Sequence, residues 1–149
     1  MRYSQSSPLY LQYYAAIPSV FDHVYTLPAA PDFFSKAPGM LEKAVNAGAI
    51  ALKNLKQLGL TARDTEGKLI AVDDTRLFPI WEMAGKLGIP VAFHTGDPVA
   101  FFQPWEPANE RWEELELHPE WSFADRSKYP PLEVLFEQVN NVYRKFPEI

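Results

Sequence analysis

His94 ends a short apolar run, Val91-Ala92-Phe93, and the chain turns at once through Thr95-Gly96-Asp97-Pro98. An imidazole so placed can ligate a metal or exchange a proton near neutral pH. Lys53 closes the apolar run Ala49-Ile50-Ala51-Leu52 in the same way. As bland alternatives, His94 is a hydrogen-bonded structural residue and Lys53 carries its ammonium to water on an apolar stem. Asp97 can hold the His94 imidazole as a neighbouring carboxylate, or cap its own Gly-Asp-Pro turn, which is the favoured reading. Beyond it Phe101, Phe102, Trp105, Trp112 and Trp121 crowd a proline-rich stretch. These rings can cover an apolar or aromatic ligand, or pack a small core belonging to the loop itself. His23 sits early in a candidate strand and His118 precedes Pro119 among acidic residues, so both read as structural or exposed.

Positioning such groups requires strands and helices in alternation, and the hydropathy pattern supplies them. Residues 21–27 form a candidate first strand, after an irregular or helical lead-in over residues 1–20. A helix over about 37–47 carries Met40, Leu41, Ala44 and Val45 on one stripe and stops at Gly48. Residues 49–53 make the second strand. After a turn at Glu66-Gly67-Lys68, Asp73-Asp74 can cap a helix with Leu77, Ile80, Trp81, Ala84 and Leu87 at helical spacing, ended by Gly88 and Pro90. Pro79 is tolerable there only if the regular helix begins late. Residues 91–95 form the third strand. Pro131 opens a last helix with Leu132, Leu135, Phe136, Val139, Val142, Tyr143 and Phe146 as its apolar face. Between them, a long loop over residues 96–129 should contain a short helix at 109–117, stopped before Pro119.

This order demands parallel strand pairing with right-handed crossovers, an α/β fold. Side-chain alternation sharpens the expectation. Ile50 and Leu52 share one face of the second strand and Val91 and Phe93 one face of the third, leaving Lys53 and His94 on the opposite face. In a closed parallel barrel the large residues meet the helices, and the polar ends look into a common basin at the upper rim.

Composition narrows the function classes. The 149 residues are 47% hydrophobic and 22% charged, ordinary globular proportions for a chain that buries a core. A net charge of -5, spread without a basic stripe, argues against a nucleic-acid partner. With no cysteine, a metal would have to be held by His, Asp, Glu or a modified Lys. The start of the chain has no apolar run of signal-peptide length and no stretch anywhere is long enough to span a bilayer, so a cytoplasmic protein with no membrane partner is expected.

Taken together, Gly48-Ala49-Ile50-Ala51-Leu52-Lys53, Lys56-Gln57-Leu58-Gly59-Leu60, Asp73-Asp74-Thr75-Arg76-Leu77 and His94-Thr95-Gly96-Asp97-Pro98-Val99-Ala100-Phe101-Phe102 closely resemble the amidohydrolase-related TIM-barrel family of metal-dependent hydrolases and decarboxylases. Asn109-Glu110-Arg111-Trp112-Glu113-Glu114-Leu115 and His118-Pro119-Glu120-Trp121-Ser122-Phe123 extend the likeness. The chain departs from the family's habit at Ala51, usually glycine, and at Asn54-Leu55, usually an apolar-aromatic pair. The resemblance implies a divalent ion, zinc, manganese or iron, at the barrel mouth, with His94 as the ligand from a middle strand. It implies for Lys53 either a carboxylated bridge between two metals or, in relatives with one metal, some other role. Asp97 would then be a supporting carboxylate, and Phe101, Phe102 and Trp105 would contact substrate. The implied activity on a small-molecule substrate is hydrolysis of amide or ester bonds, or non-oxidative decarboxylation of a small carboxylated compound.

The chain lacks the family's His-x-His pair and a late ligand Asp. A complete barrel takes about 250 residues. The expectation is therefore a partial (β/α)8 barrel of about three βα units, residues 1–149 being an internal fragment with an incomplete metal site. Its alternatives are a catalytically inactive binding module, and a half-barrel that pairs with a companion chain or another copy through exposed barrel edges.

Overall fold

A computed structural model describes residues 32–149 apart from Leu55 and Asp97. The expected lead-in, the first strand over residues 21–27, His23 and the Asp97 carboxylate lie outside the described residues. Helix α1 (Phe33–Asn46) is followed by β1 (Leu52–Asn54), α2 (Phe78–Leu87), β2 (Val91–Phe93), the short α3 (Trp112–Leu117) and α4 (Leu132–Lys145). β1 and β2 pair in parallel, with Leu52 opposite Val91, Lys53 opposite Ala92 and Asn54 opposite Phe93. The described residues thus form an α/β arrangement around a two-stranded parallel sheet.

One face of that sheet is covered. Leu52 and Val91 are buried in a single core with Phe33, Ala37 and Leu41 of α1, Ile80, Trp81 and Ala84 of α2, and Val142 of α4. Phe93 meets Trp81 edge-on at 5.4 Å between ring centroids and Tyr143 at 5.5 Å. Strand alternation therefore turns Lys53 and Ala92 to the other face, and Ala92 is exposed.

Ile50 departs from the expected pattern. It is 71% exposed and belongs to no strand, because α1 uses the preceding residues to finish itself. The amides of Ala47, Gly48 and Ala49 donate back to the carbonyls of Lys43, Val45 and Ala44, with Gly48 at a φ of 105°. This glycine-dependent closure leaves the strand to start only at Leu52. The helix itself begins before the expected residue 37 and carries Pro38 within it.

Pro79 fits for the anticipated reason. A 3-10 turn over Thr75–Leu77 comes first, capped by the Asp74 carboxylate on the Arg76 amide at 2.9 Å, so Pro79 falls in the first turn of α2, where no amide donor is needed. α2 closes through Gly88, at a φ of 65°, with Gly88 and Ile89 amides on the carbonyls of Gly85 and Ala84. Between β1 and α2, Asp64 caps the turn through the amides of Glu66 and Lys68. Arg76 grips Asp64 at 3.0 Å and Asp74 at 2.7 Å while its guanidinium lies 4.6 Å from the Phe34 ring centre, which ties this segment to α1.

A second core lies under the long loop and contains Leu60, Phe101, Phe102, Leu115, Phe123, Leu132 and Leu135. α4 spans both cores, because its stripe runs from Leu132 and Leu135 through Val139 to Val142. Phe136, expected on that stripe, is largely exposed.

Candidate strand-end site

His94 follows β2, and its backbone amide donates to the Asn54 carbonyl at 3.0 Å, which continues the parallel ladder one step past the strand. With Lys53 opposite Ala92, the same alternation places Lys53 and His94 on the face turned away from the helices, at the C-terminal ends of neighbouring strands. Both are half-buried. Asn54, between them in register, points to the covered face. Its side chain is buried, and its Oδ1 has no hydrogen-bond partner among the described residues. Tyr143 Oη donates to the Val91 carbonyl at 2.9 Å, so α4 satisfies an acceptor on the edge of β2 away from β1.

Gly96 sets the exit from this rim. Its φ of 65° lies in the left-handed region, and a Cβ there would run into the Leu132 side chain of α4. The loop beyond returns across the same end of the strands, since Lys56, just after β1, places its ammonium 5.6 Å from the ring centres of both Phe101 and Phe123.

The aromatic candidates divide. Phe101 and Phe102 are 4% and 5% exposed and pack the loop's own core, whereas Trp105 is 47% exposed and leans on Trp112 at 6.1 Å. The expected helix within the loop forms, but only as Trp112–Leu117. Asn109 uses its side chain for bracing instead: Nδ2 donates to Ala100 at 2.9 Å and Pro104 at 3.0 Å, and Oδ1 accepts from the Arg111 amide at 2.8 Å. An Asn just before an acidic helical start was the available signal for a cap. Its two contacts across the loop carry no local signal.

The return arm is fixed by ions. Arg126 donates to the Phe102 carbonyl at 2.6 Å. The Asp125 carboxyl is pulled down to about 2 by the Ser127 hydroxyl at 2.6 Å, then by Lys128 and the Ser127 amide. His118 lies flat on Trp121, 4.0 Å between centroids, with Glu120 at 3.1 Å on its Nδ1. That arrangement agrees with an exposed structural role.

Among the described residues no three His, Asp or Glu side chains gather closely enough to hold a metal ion. The strand-end face supplies one imidazole and one ammonium. Among the described residues no helix is long and apolar enough to cross a membrane. Comparison with protein-family models, curated proteins and solved structures finds no match.

Proposed function

We propose that this chain carries the His94 portion of a strand-end site in a metal-dependent hydrolase or decarboxylase of the amidohydrolase-related kind, β1 and β2 being neighbouring strands of a (β/α)8 barrel. One observation carries the reading: β1 and β2 pair in parallel with Lys53 opposite Ala92 and with Leu52 and Val91 packed against the described helices, so strand alternation assigns Lys53 and His94 to the opposite face at the C-terminal ends of both strands. In such barrels that face is the interior and that end is the functional rim. His94 suits a divalent ion as a neutral imidazole donor, and zinc, manganese and iron all accept such a ligand. The described residues do not complete the donor set, so the ion would need further ligands from outside them. Lys53 contributes a positive charge that can hold an anionic group of a small amide, ester or carboxylated substrate against the rim.

Titrating the 149-residue chain with zinc by calorimetry tests the assignment. Binding is expected to be weaker than about 1 μM, the affinity that corresponds to roughly -8 kcal/mol, because one histidine is too few. It should disappear in His94→Ala and persist in His118→Ala. Equal zinc binding by the wild type and His94→Ala would refute the role of His94.

A further inference from the structure

α3 turns Leu115 into the loop core, and Glu113 and Leu117, each two positions from it, therefore lie on the opposite side of the helix. Those two stand four residues apart on one face, and Leu117 is 78% exposed. Together with Pro107, Glu110 and Trp112 they line an open groove of about 590 Å3. That volume lies within the ~300–1,000 Å3 of ligand pockets, room for several side chains rather than one ion. Trp105, 47% exposed, leans on Trp112 at 6.1 Å and adds apolar surface beside the groove. Asn109, buried behind the lining, is fixed by its hydrogen bonds to the Ala100 and Pro104 carbonyls, so the groove is preformed.

Charge selects what can fill it. Arg111 and Glu114 pair at 3.1 Å, whereas Glu110 and Glu113 have no ion partner among the described residues. Outside the described residues the sequence supplies a single Lys or Arg, Arg2, against Asp22 and Asp97, so it holds no reserve of positive charge to neutralise them. A single exposed leucine is ordinary surface. Exposed apolar side chains and two uncompensated carboxylates around one groove match a ligand that is at once apolar and cationic. We propose that this groove docks a basic peptide segment of a partner protein, with its arginine or lysine side chains on Glu110 and Glu113 and an intervening apolar side chain against Leu117 and Trp112. The carboxylates steer and orient the segment, and the apolar anchor supplies affinity. A second copy of this chain is the poorer occupant, because it carries a net charge of -5 and would set Glu110 and Glu113 against their own counterparts. The docking face is independent of the strand-end reading and uses neither His94 nor a metal ion.

The probe is acetyl-Arg-Leu-Arg-Leu-Arg-amide, followed on the Trp112 indole resonance by NMR, assigned with Trp112→Phe. It should shift that resonance saturably. Serine in place of both leucines should weaken binding at least about tenfold, and glutamate in place of the three arginines should abolish it. Glu110→Gln combined with Glu113→Gln should weaken the probe about tenfold, as should Leu117→Ser, while Glu42→Gln on the exposed side of α1 and His94→Ala leave it unchanged. No saturable shift with the arginine–leucine peptide would overturn the proposal. Equal affinity for the serine peptide would reduce the groove to a nonspecific acidic patch, and equal affinity for the glutamate peptide would reduce it to an apolar crevice. Unchanged affinity in the folded double variant would also overturn it. Concentration-dependent dimerisation that Leu117→Ser abolishes, without peptide binding, would assign the face to a second copy instead. Should the double variant fail to fold, the three peptides on the wild-type chain decide.

Discussion

Replacing the Asn109 side-chain nitrogen by oxygen tests how the loop is braced. Asn109 is 7% exposed, and its Nδ2 is the donor that joins the Ala100 and Pro104 carbonyls. Asn109→Ala removes three hydrogen bonds, each worth about 1 kcal/mol net. The Ala100 carbonyl keeps the Gln103 amide at 3.1 Å, so the loss should be about 2–3 kcal/mol. Asn109→Asp retains the Oδ1 acceptor for Arg111 but points an ionised oxygen at two carbonyls. Burying an unpaired charge costs several kcal/mol, so the isosteric change should be the worse one at pH 7, by about 3–5 kcal/mol in total. The introduced carboxyl has a raised folded-state pKa. Its penalty therefore exists above that value and shrinks as pH falls through it toward the unfolded value of about 4, where a protonated oxygen again donates. Urea denaturation by near-UV circular dichroism at pH 7 and pH 4.5, with hydrogen exchange at the Arg111 amide, measures both effects. Asn109→Asp as stable as wild type, or more stable than Asn109→Ala at pH 7, would refute the orientation of the amide and the dryness of its site.

Gly88 and Gly96 share a φ of 65°, yet a Cβ meets nothing within 4 Å at Gly88 and strikes Leu132 at Gly96. Gly88→Ala should cost about 1–2 kcal/mol from backbone strain alone, and Gly96→Ala about 1–3 kcal/mol more from overpacking. Equal losses in thermal denaturation would show that Leu132 does not set the rim exit. Asp125 is held low chiefly by Ser127, so its contribution to stability is present above the unfolded pKa of about 4 and is lost as pH falls toward about 2. Ser127→Ala should raise its titration midpoint toward the ordinary value, as read by carboxyl NMR, and an unmoved midpoint would put the cause elsewhere.

Which parts of this architecture were legible follows from how far apart the cooperating residues lie. The packing of Leu52, Val91 and Phe93 against the helices, with Ala92 exposed, needed only the two-residue period of a strand. The late start of α2 followed from the chemistry of Pro79. Ile50 misleads because hydropathy marks it as strand, whereas closing α1 through Gly48 and Ala49 consumes the residues that would have paired. Composition could not separate a ligand-covering loop from a loop with its own core, since both need clustered rings. Burial separates them, placing Phe101 and Phe102 inside and Trp105 outside. The aromatic seat of Lys56 has no local signal either: its partners Phe101 and Phe123 are brought to it by the fold of the loop, without any repeat or spacing nearby.

The loop is accordingly a poor candidate for a detachable lid. Its core includes Leu132 and Leu135, which belong to α4, and the same helix reaches the strand core through Val142 and the edge of β2 away from β1 through the Tyr143 hydroxyl. Lifting Phe101 and Phe102 away would expose apolar area at about 25 cal/mol per Å2 and break the Arg126 tie to the Phe102 carbonyl. Such an opening belongs to the expensive end of local unfolding. Motion around the rim is cheapest for groups outside that core, such as the exposed Trp105. Any gating of the strand-end face by this segment therefore has to come from small displacements of such groups, with Gly96 and Leu132 holding the base of the loop against α4.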